Sequence, residues 1–208
     1  MSEKCTIFAG GEPVSFKTLD MGFISHSVIY GADKGYYLAK KLGIECDVVL
    51  GDFDSSEKPE REDILLFPIE KDDTDLMLAV RHALEHGCKS FEIYGALGGR
   101  ADHLFGNIQT LGFVKSHGGS AVMIGDNDRI TLLSPGKYHF KKTDGYSLSL
   151  FAYSHIVRGL TISGTKYDAA DITLEYTFPL GISNKILNEQ GADVTFDSGL
   201  LLVIESRR

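Results

Sequence analysis

No stretch of the 208-residue sequence is apolar for long enough to cross a membrane, which takes about 20 such residues. Cysteine is scarce. Cys5, Cys46 and Cys88 are odd in number, scattered and flanked by strand-forming residues. They lack the close spacing and partner ligands of a metal site, so they read as buried free thiols in a reducing cytosol. Basic charge is outnumbered: 21 Lys and Arg face 29 Asp and Glu, for a net charge of -8. That balance argues against a nucleic-acid surface, which needs clustered cations. The opening Met1-Ser2-Glu3-Lys4-Cys5 lacks the basic-then-apolar layout of a secretory signal, so a cytoplasmic location is expected. There is no internal repeat, no low-complexity segment and no block of like charge that would mark a disordered tail.

What is present is an ordinary globular balance, 43% hydrophobic and 24% charged, enough for one large domain or two small ones. Residues 1 to 128 alternate two patterns. Apolar runs at 6–9, 27–30, 47–50, 64–67, 91–94 and 120–124 read as strands. Helical stretches at 34–42, 74–86 and 101–116 follow several of them, and the second places Leu76, Ala79, Val80, Ala83 and Leu84 on one face. This rhythm predicts an α/β domain with a mostly parallel sheet. After Asp126-Asn127-Asp128 only short β-type segments remain, at 130–133, 146–152, 156–161, 172–176, 181–187, 192–196 and 200–204. Turn residues such as Pro135-Gly136, Asp144-Gly145 and Asp197-Ser198-Gly199 separate them. Residues 129 to 208 are therefore expected to form an all-β sandwich or small barrel. Asp126 and Asp128 read as turn residues at the domain switch.

Carboxylates gather just after the strand-like runs of the first half: Asp33, Asp52 with Asp54, Asp72 with Asp75, and Asp102. In an open α/β sheet the ends of the strands form one ligand-binding rim. Acids crowded there repel one another unless a cation joins them. In Gly51-Asp52-Phe53-Asp54-Ser55 the two acids point the same way in extended chain, which suits a hard cation such as Mg2+. Lys71-Asp72-Asp73-Thr74-Asp75 precedes a helix; capping accounts for one or two of its acids but less well for three within four residues. Gly95-Ala96-Leu97-Gly98-Gly99-Arg100-Ala101-Asp102-His103 joins three glycines, which permit close backbone approach, to a guanidinium fork at a helix start, where phosphate is favoured. It matches neither the dinucleotide fingerprint nor the P-loop. His103 reads as a capping or packing residue. Gly31-Ala32-Asp33-Lys34-Gly35 and Gly10-Gly11 follow two more strands and extend the same rim. Together these loops point to a divalent-metal site that handles polyphosphate.

The set Gly31-Ala32-Asp33-Lys34-Gly35, Gly51-Asp52-Phe53-Asp54-Ser55, Asp72-Asp73-Thr74-Asp75 and Gly98-Gly99-Arg100-Ala101-Asp102-His103 resembles the thiamine pyrophosphokinase family. The resemblance continues in Gly164-Thr165-Lys166-Tyr167 and Gly181-Ile182-Ser183-Asn184, in family order across nearly the whole chain. It implies an α/β domain followed by a β-sandwich, with the diphosphoryl group of ATP passing to the hydroxyl of thiamine. It implies Mg2+ on Asp52, Asp54 and Asp75. Asp33, Gly35, Asp52, Asp72, Thr74, Gly98, Gly99 and Arg100 would form the nucleotide-binding set, Asp33 and Asp72 mainly by capping and orienting loops. Asp75, Arg100 and Asp102 would be the catalytic residues, with Asp75 or Asp102 the candidate base if there is one. A homodimer is implied, with Ser163, Tyr167, Ser183 and Asn184 lining the thiamine pocket across the subunit interface. Two departures stand out. The chain has no Trp, and Tyr167 occupies the place where some relatives stack Trp on the thiamine ring. Thr165 stands where an apolar residue is common. The same rim acting on another hydroxylated heterocycle, or a sensor that binds without turnover, are the competing readings.

Overall fold

Short apolar runs and the amphipathic stretches between them set the layout of the first part of the chain. In the computed structural model, which describes residues 3–53, 57–67 and 73–207, the chain divides into two compact units, Met1–Asp126 and Asn127–Arg208. Among the described residues the first unit holds six strands: β1 (Lys4–Phe8), β2 (Val28–Ala32), β3 (Val48–Gly51), β4 (Ile64–Leu66), β5 (Ser90–Tyr94) and β6 (Ser120–Ile124). Between them run α1 (Met21–Ile24), α2 (Gly35–Lys41), α3 (Asp75–Glu85) and α4 (Ala101–Ser116). The strands pair in the order 6-5-1-2-3-4, and each of these pairs is parallel. Parallel strands covered on both faces need apolar side chains in both directions. Ile7 with Phe8, Val49 with Leu50, and Ile93 with Tyr94 supply them, all buried. On α3 the buried Leu76, Ala79, Val80 and Ala83 recur at helical spacing and form its inner face. The strand order reverses between β1 and β5, the kind of place where open α/β sheets bind ligands.

The second unit holds β7 (Asp128–Leu133), β8 (Gly136–Phe140), β9 (Tyr146–Ala152), β10 (Ile156–Ser163), β11 (Ala169–Glu175), β12 (Gly181–Asn184), β13 (Ala192–Phe196) and β14 (Leu201–Arg207). Two antiparallel layers form, β12-β9-β14-β7 and β11-β10-β13-β8. Leu148, Leu150, Leu201 and Val203 from the first layer meet Val157, Leu160, Ile162, Leu174, Val194 and Phe196 from the second in one core. Alternation makes this possible: Ala192, Val194 and Phe196 of β13 are buried while Asp193 between them is exposed.

Some details depart from expectation. Strand β8 was not expected, although its Tyr138 and Phe140 turn inward between exposed Lys137 and His139. Asp128 is not a turn residue; it opens β7, and its Oδ1 accepts the Ser206 hydroxyl at 2.5 Å. Asp126 has a structural task as well. Its Oδ1 accepts from the Ser15 N–H at 2.8 Å, the Ser15 hydroxyl at 3.0 Å and the Thr18 hydroxyl, so it ties down the segment after β1. Burial opposes its charge, but these donors prevail and hold the carboxyl below its ordinary range. Cys5, Cys46 and Cys88 are buried free thiols, and burial pushes the Cys46 thiol up to about 12.

Candidate active site

The loops at the carboxyl ends of β1, β2, β3 and β5 are locked to one another. Ala9 N–H donates to Tyr94 O at 2.8 Å, Gly11 N–H to Gly95 O at 2.6 Å and Glu12 N–H to Leu97 O at 3.0 Å, joining the β1 and β5 loops. Asp33 N–H donates to Leu50 O at 2.8 Å and joins the β2 and β3 loops. The Asn107 Nδ2, from within α4, donates to Ala96 O at 2.8 Å and braces the glycine loop from behind. Glycine is required at two of these contacts. A Cβ on Gly35 would run into the Phe8 carbonyl, so only glycine lets α2 start against the end of β1. Gly98, at φ +71°, lies against Glu12 with no room for a Cβ. Two non-glycine residues here also hold positive φ: Asp33 at 47° and Phe53 at 53°. A bulky side chain in that region is strained, and such strain collects at functional loops.

The predicted acids that the structure describes, Asp33, Asp52, Asp75 and Asp102, have distinct surroundings. Asp52 and Asp75 are half-buried, at the end of β3 and in the first turn of α3. Thr74 caps α3, its Oγ1 accepting from the Met77 N–H at 3.2 Å. Asp73 pairs with Arg81 at 3.0 Å, which gives that acid a structural partner. Arg100 precedes α4 and Asp102 lies in its first turn; their side chains form a two-bond fork, Nη2 to Oδ2 at 2.6 Å and Nε to Oδ1 at 3.2 Å. The Arg100 guanidinium holds the Asp102 carboxyl below its ordinary range, and Asp102 raises Arg100 further. Asp54 and Asp72 lie outside the described residues. Among the described residues no group of three or more His, Cys, Asp or Glu is arranged to hold a metal ion. A hard divalent cation commonly takes one or two carboxylates and fills its other positions with phosphate and water, so the donor chemistry of Asp52 and Asp75 suits one.

In the second unit Ser163, Tyr167 and Ser183 are exposed, whereas Asn184 is only 6% exposed. Asn184 Nδ2 donates to Tyr167 O at 2.9 Å and Thr165 Oγ1 at 3.0 Å. Its Oδ1 accepts from the N–H groups of Tyr167 at 3.1 Å and Lys185 at 2.9 Å. The amide is filled on both sides, so Asn184 belongs beneath the surface that Tyr167 presents and not on it. Thr165 is buried, and its N–H and hydroxyl both donate to Asp168 Oδ1, at 2.8 and 3.0 Å. The hydroxyl thus satisfies Asn184 and Asp168 at once, which explains a polar residue at a buried position.

Two family descriptions match the chain: "Thiamin pyrophosphokinase, catalytic domain" over residues 22–124 and "Thiamin pyrophosphokinase, vitamin B1 binding domain" over residues 137–201. The thiamine pyrophosphokinase of Bacillus subtilis (strain 168) is 32% identical over 208 residues, covering 96% of this chain and 97% of that one. The chain belongs to the thiamine pyrophosphokinase family. Its fold resembles the crystal structure of the Bacillus subtilis thiamine pyrophosphokinase with a TM-score of 0.85 at 30% identity, covering 98% and 99% of the two chains. The Geobacillus thermodenitrificans enzyme gives a TM-score of 0.80 at 26% identity, covering 99% of this chain and 98% of that one. A family protein from Enterococcus faecalis gives 0.81 at 26%, covering 99% of each.

Within this chain the candidate residues from Asp33 to Asp102 fall in the catalytic match, and Ser163, Tyr167, Ser183 and Asn184 in the B1-binding match. Sequence reasoning missed Glu12, Asn107 and Asp168. Asn107 left a signal: a polar residue two turns into a helix that opens on a glycine loop has that loop's carbonyls within reach. Glu12 and Asp168 left none, since an acid in a polar loop reads as solvated.

Proposed function

We propose that this chain is a thiamine diphosphokinase, which transfers the diphosphoryl group of ATP to the hydroxyl of thiamine and releases AMP. The observation that carries the reading is the interlocked rim at the ends of β1, β2, β3 and β5, bearing Asp33, Asp52 and Gly98-Gly99-Arg100, in a chain of this family.

The nucleotide phosphates would lie against the glycine loop and the amide-rich start of α4, where backbone N–H groups and the helix dipole favour anions. Gly35, Thr74, Gly98 and Gly99 would shape that cradle, and Asp33 and Asp72 would orient its loops. The Arg100 fork, now shared with Asp102, matches phosphate oxygens and would offset charge as it develops on the leaving group. Asp52, Asp54 and Asp75 would hold Mg2+, which supplies charge neutralisation on the triphosphate when bound. The thiamine hydroxyl oxygen attacks the β-phosphorus in line. The bond from that phosphorus to the oxygen bridging to the α-phosphate breaks, and AMP departs with the electron pair. The hydroxyl proton passes to Asp75 or Asp102, or to water late in the step. Tyr167 would stack on the cationic thiamine ring, with Ser163 and Ser183 as polar neighbours.

A homodimer with its site at the subunit interface belongs to this reading. It is supported by Tyr176, Phe178, Leu180 and Ile182, large apolar side chains exposed at alternate positions of the second unit. The three buried thiols support a reducing, cytoplasmic setting.

The test is an incubation of the purified protein with ATP, Mg2+ and thiamine. The expected result is AMP and thiamine diphosphate in equal amounts, with Asp75→Ala slowed by orders of magnitude while its circular dichroism is unchanged. ATP turnover that ignores thiamine, or an Asp75→Ala variant of normal rate, overturns the reading.

A further inference from the structure

We propose that Asn184, Thr165 and Asp168 are positioning residues that set the acceptor affinity of the site by fixing the backbone of Tyr167. The proposal rests on the diphosphokinase reading above and assigns these residues a role that acts through Tyr167.

The geometry is specific to one residue. Asn184 donates to the carbonyl of Tyr167 and accepts from the N–H of the same residue, at 2.9 and 3.1 Å. A side-chain amide that takes both backbone groups of one residue copies the pairing a neighbouring strand would offer. Its orientation is fixed by its partners. Rotating the amide by half a turn would set NH2 against two N–H donors and the carbonyl oxygen against the Tyr167 carbonyl. Thr165 locks the other Nδ2 proton, and Asp168 in turn fixes the Thr165 hydroxyl.

Joining the two chain segments does not require this network. Backbone bonds already do so, Lys166 N–H to Lys185 O at 2.8 Å and Leu187 N–H to Gly164 O at 3.0 Å, beside a bridge between Thr165 and Ile186. Nor does the Tyr167 ring gain core packing from it, because that residue is 60% exposed. Two buried polar side chains hold still a residue whose aromatic face is in solvent. That arrangement suits presentation of the ring to a ligand. The ring can carry a cation: the Lys166 ammonium lies 5.0 Å from its centroid. A rigid platform needs no ordering when a cationic heteroaromatic ring docks, which is how preorganisation gains affinity.

Thr165→Val keeps the shape and removes the hydroxyl, leaving Asn184 and Asp168 each short of a partner. The expected result is a thiamine KM raised about tenfold, with kcat and the KM for ATP within about twofold of wild type. Thr165→Ser restores the wild-type value. In a Tyr167→Ala background, which itself raises the thiamine KM, adding Thr165→Val changes it no further. If Thr165→Val lowers only the melting temperature, or its effect adds fully to that of Tyr167→Ala, the proposal is overturned while the diphosphokinase reading stands. Should Thr165→Val fail to fold, Asp168→Asn and Asp168→Ala repeat the comparison from the exposed end of the network, with only Ala expected to raise the KM. A wild-type protein without thiamine-dependent AMP release removes the reading beneath the proposal, a result the variants cannot imitate.

Discussion

At the head of α4 the Arg100 guanidinium donates twice to the Asp102 carboxylate, at 2.6 and 3.2 Å. Both side chains are open to water, 74% and 64% exposed, so the pair contributes little to stability. Its weakness is useful at a phosphate site, because a polyphosphate can take the same fork from Asp102 at small cost. Arg100→Ala is therefore expected to lower kcat by about 100-fold to 1,000-fold, the usual loss when a preorganised donor is removed. Asp102→Asn should lose less, since the fork remains. Both variants should melt within about 2 °C of wild type. A large drop in melting temperature for either would make the pair structural.

The glycines of the rim divide into two kinds. A Cβ on Gly35 would overlap the Phe8 carbonyl, so Gly35→Ala must push α2 off β1. Urea unfolding should show a loss of about 3 kcal/mol or more, the upper range for overpacking. Gly99 has open space around its Cβ position but a φ of +70°. Gly99→Ala meets only the left-handed backbone penalty, about 1–2 kcal/mol. Equal losses for the two variants would contradict this division.

What could be read in the sequence follows from how locally each feature is encoded. Helix α4 and strands β6, β9 and β13 coincide with the predicted ranges because periodicity and flanking turn residues mark both of their ends. Strand β8 escaped because Pro135-Gly136 drew attention as a turn, and the alternation of Lys137-Tyr138-His139-Phe140 is short. The rim acids stood out because several acids recur after strands. The task of Asp126 did not, since its partners Ser15 and Thr18 are more than 100 positions away in sequence. Asn184 could be picked out as a residue of the second unit's loops. That its amide is used up by Tyr167, Thr165 and Lys185 is a matter of packing, which no spacing rule encodes.

Acid should loosen the Tyr167 platform. The Thr165 N–H, and then its hydroxyl, hold the Asp168 carboxyl below its ordinary range, with slight burial opposing them. A carboxyl depressed in the folded state contributes stability above its unfolded pKa of about 4 and loses it as the pH falls through the folded value. Asp168→Asn still accepts from Thr165 but does not titrate. Urea midpoints measured between about pH 5 and pH 2 should fall less steeply for this variant than for wild type. Asp126 is lowered in the same direction, so a residual slope will remain. Identical slopes for the two proteins would show that the Asp168 carboxyl is not stabilised by folding.

Four large apolar side chains alternate along one segment of the second unit: Tyr176 at 61% exposure, Phe178 at 64%, Leu180 at 55% and Ile182 at 57%. Residues 176–180 form the turn that leads from β11 into β12, and β12, which carries Ile182, ends its sheet with one edge unpaired among the described strands. Burying a Leu, Ile or Phe side chain is worth about 1.5–3 kcal/mol, so four of them exposed together represent a large unused association energy. A second copy of the chain is the occupant the dimer reading requires. Leu180→Glu combined with Ile182→Glu places two charges in that exposed segment without touching either core. Light scattering should then give the mass of one chain where wild type gives two. If the site is completed at the subunit interface, AMP release should fall along with the mass, and raising the protein concentration should restore part of it. A variant that stays dimeric would move the interface elsewhere. One that is monomeric and fully active would separate the dimer from the chemistry.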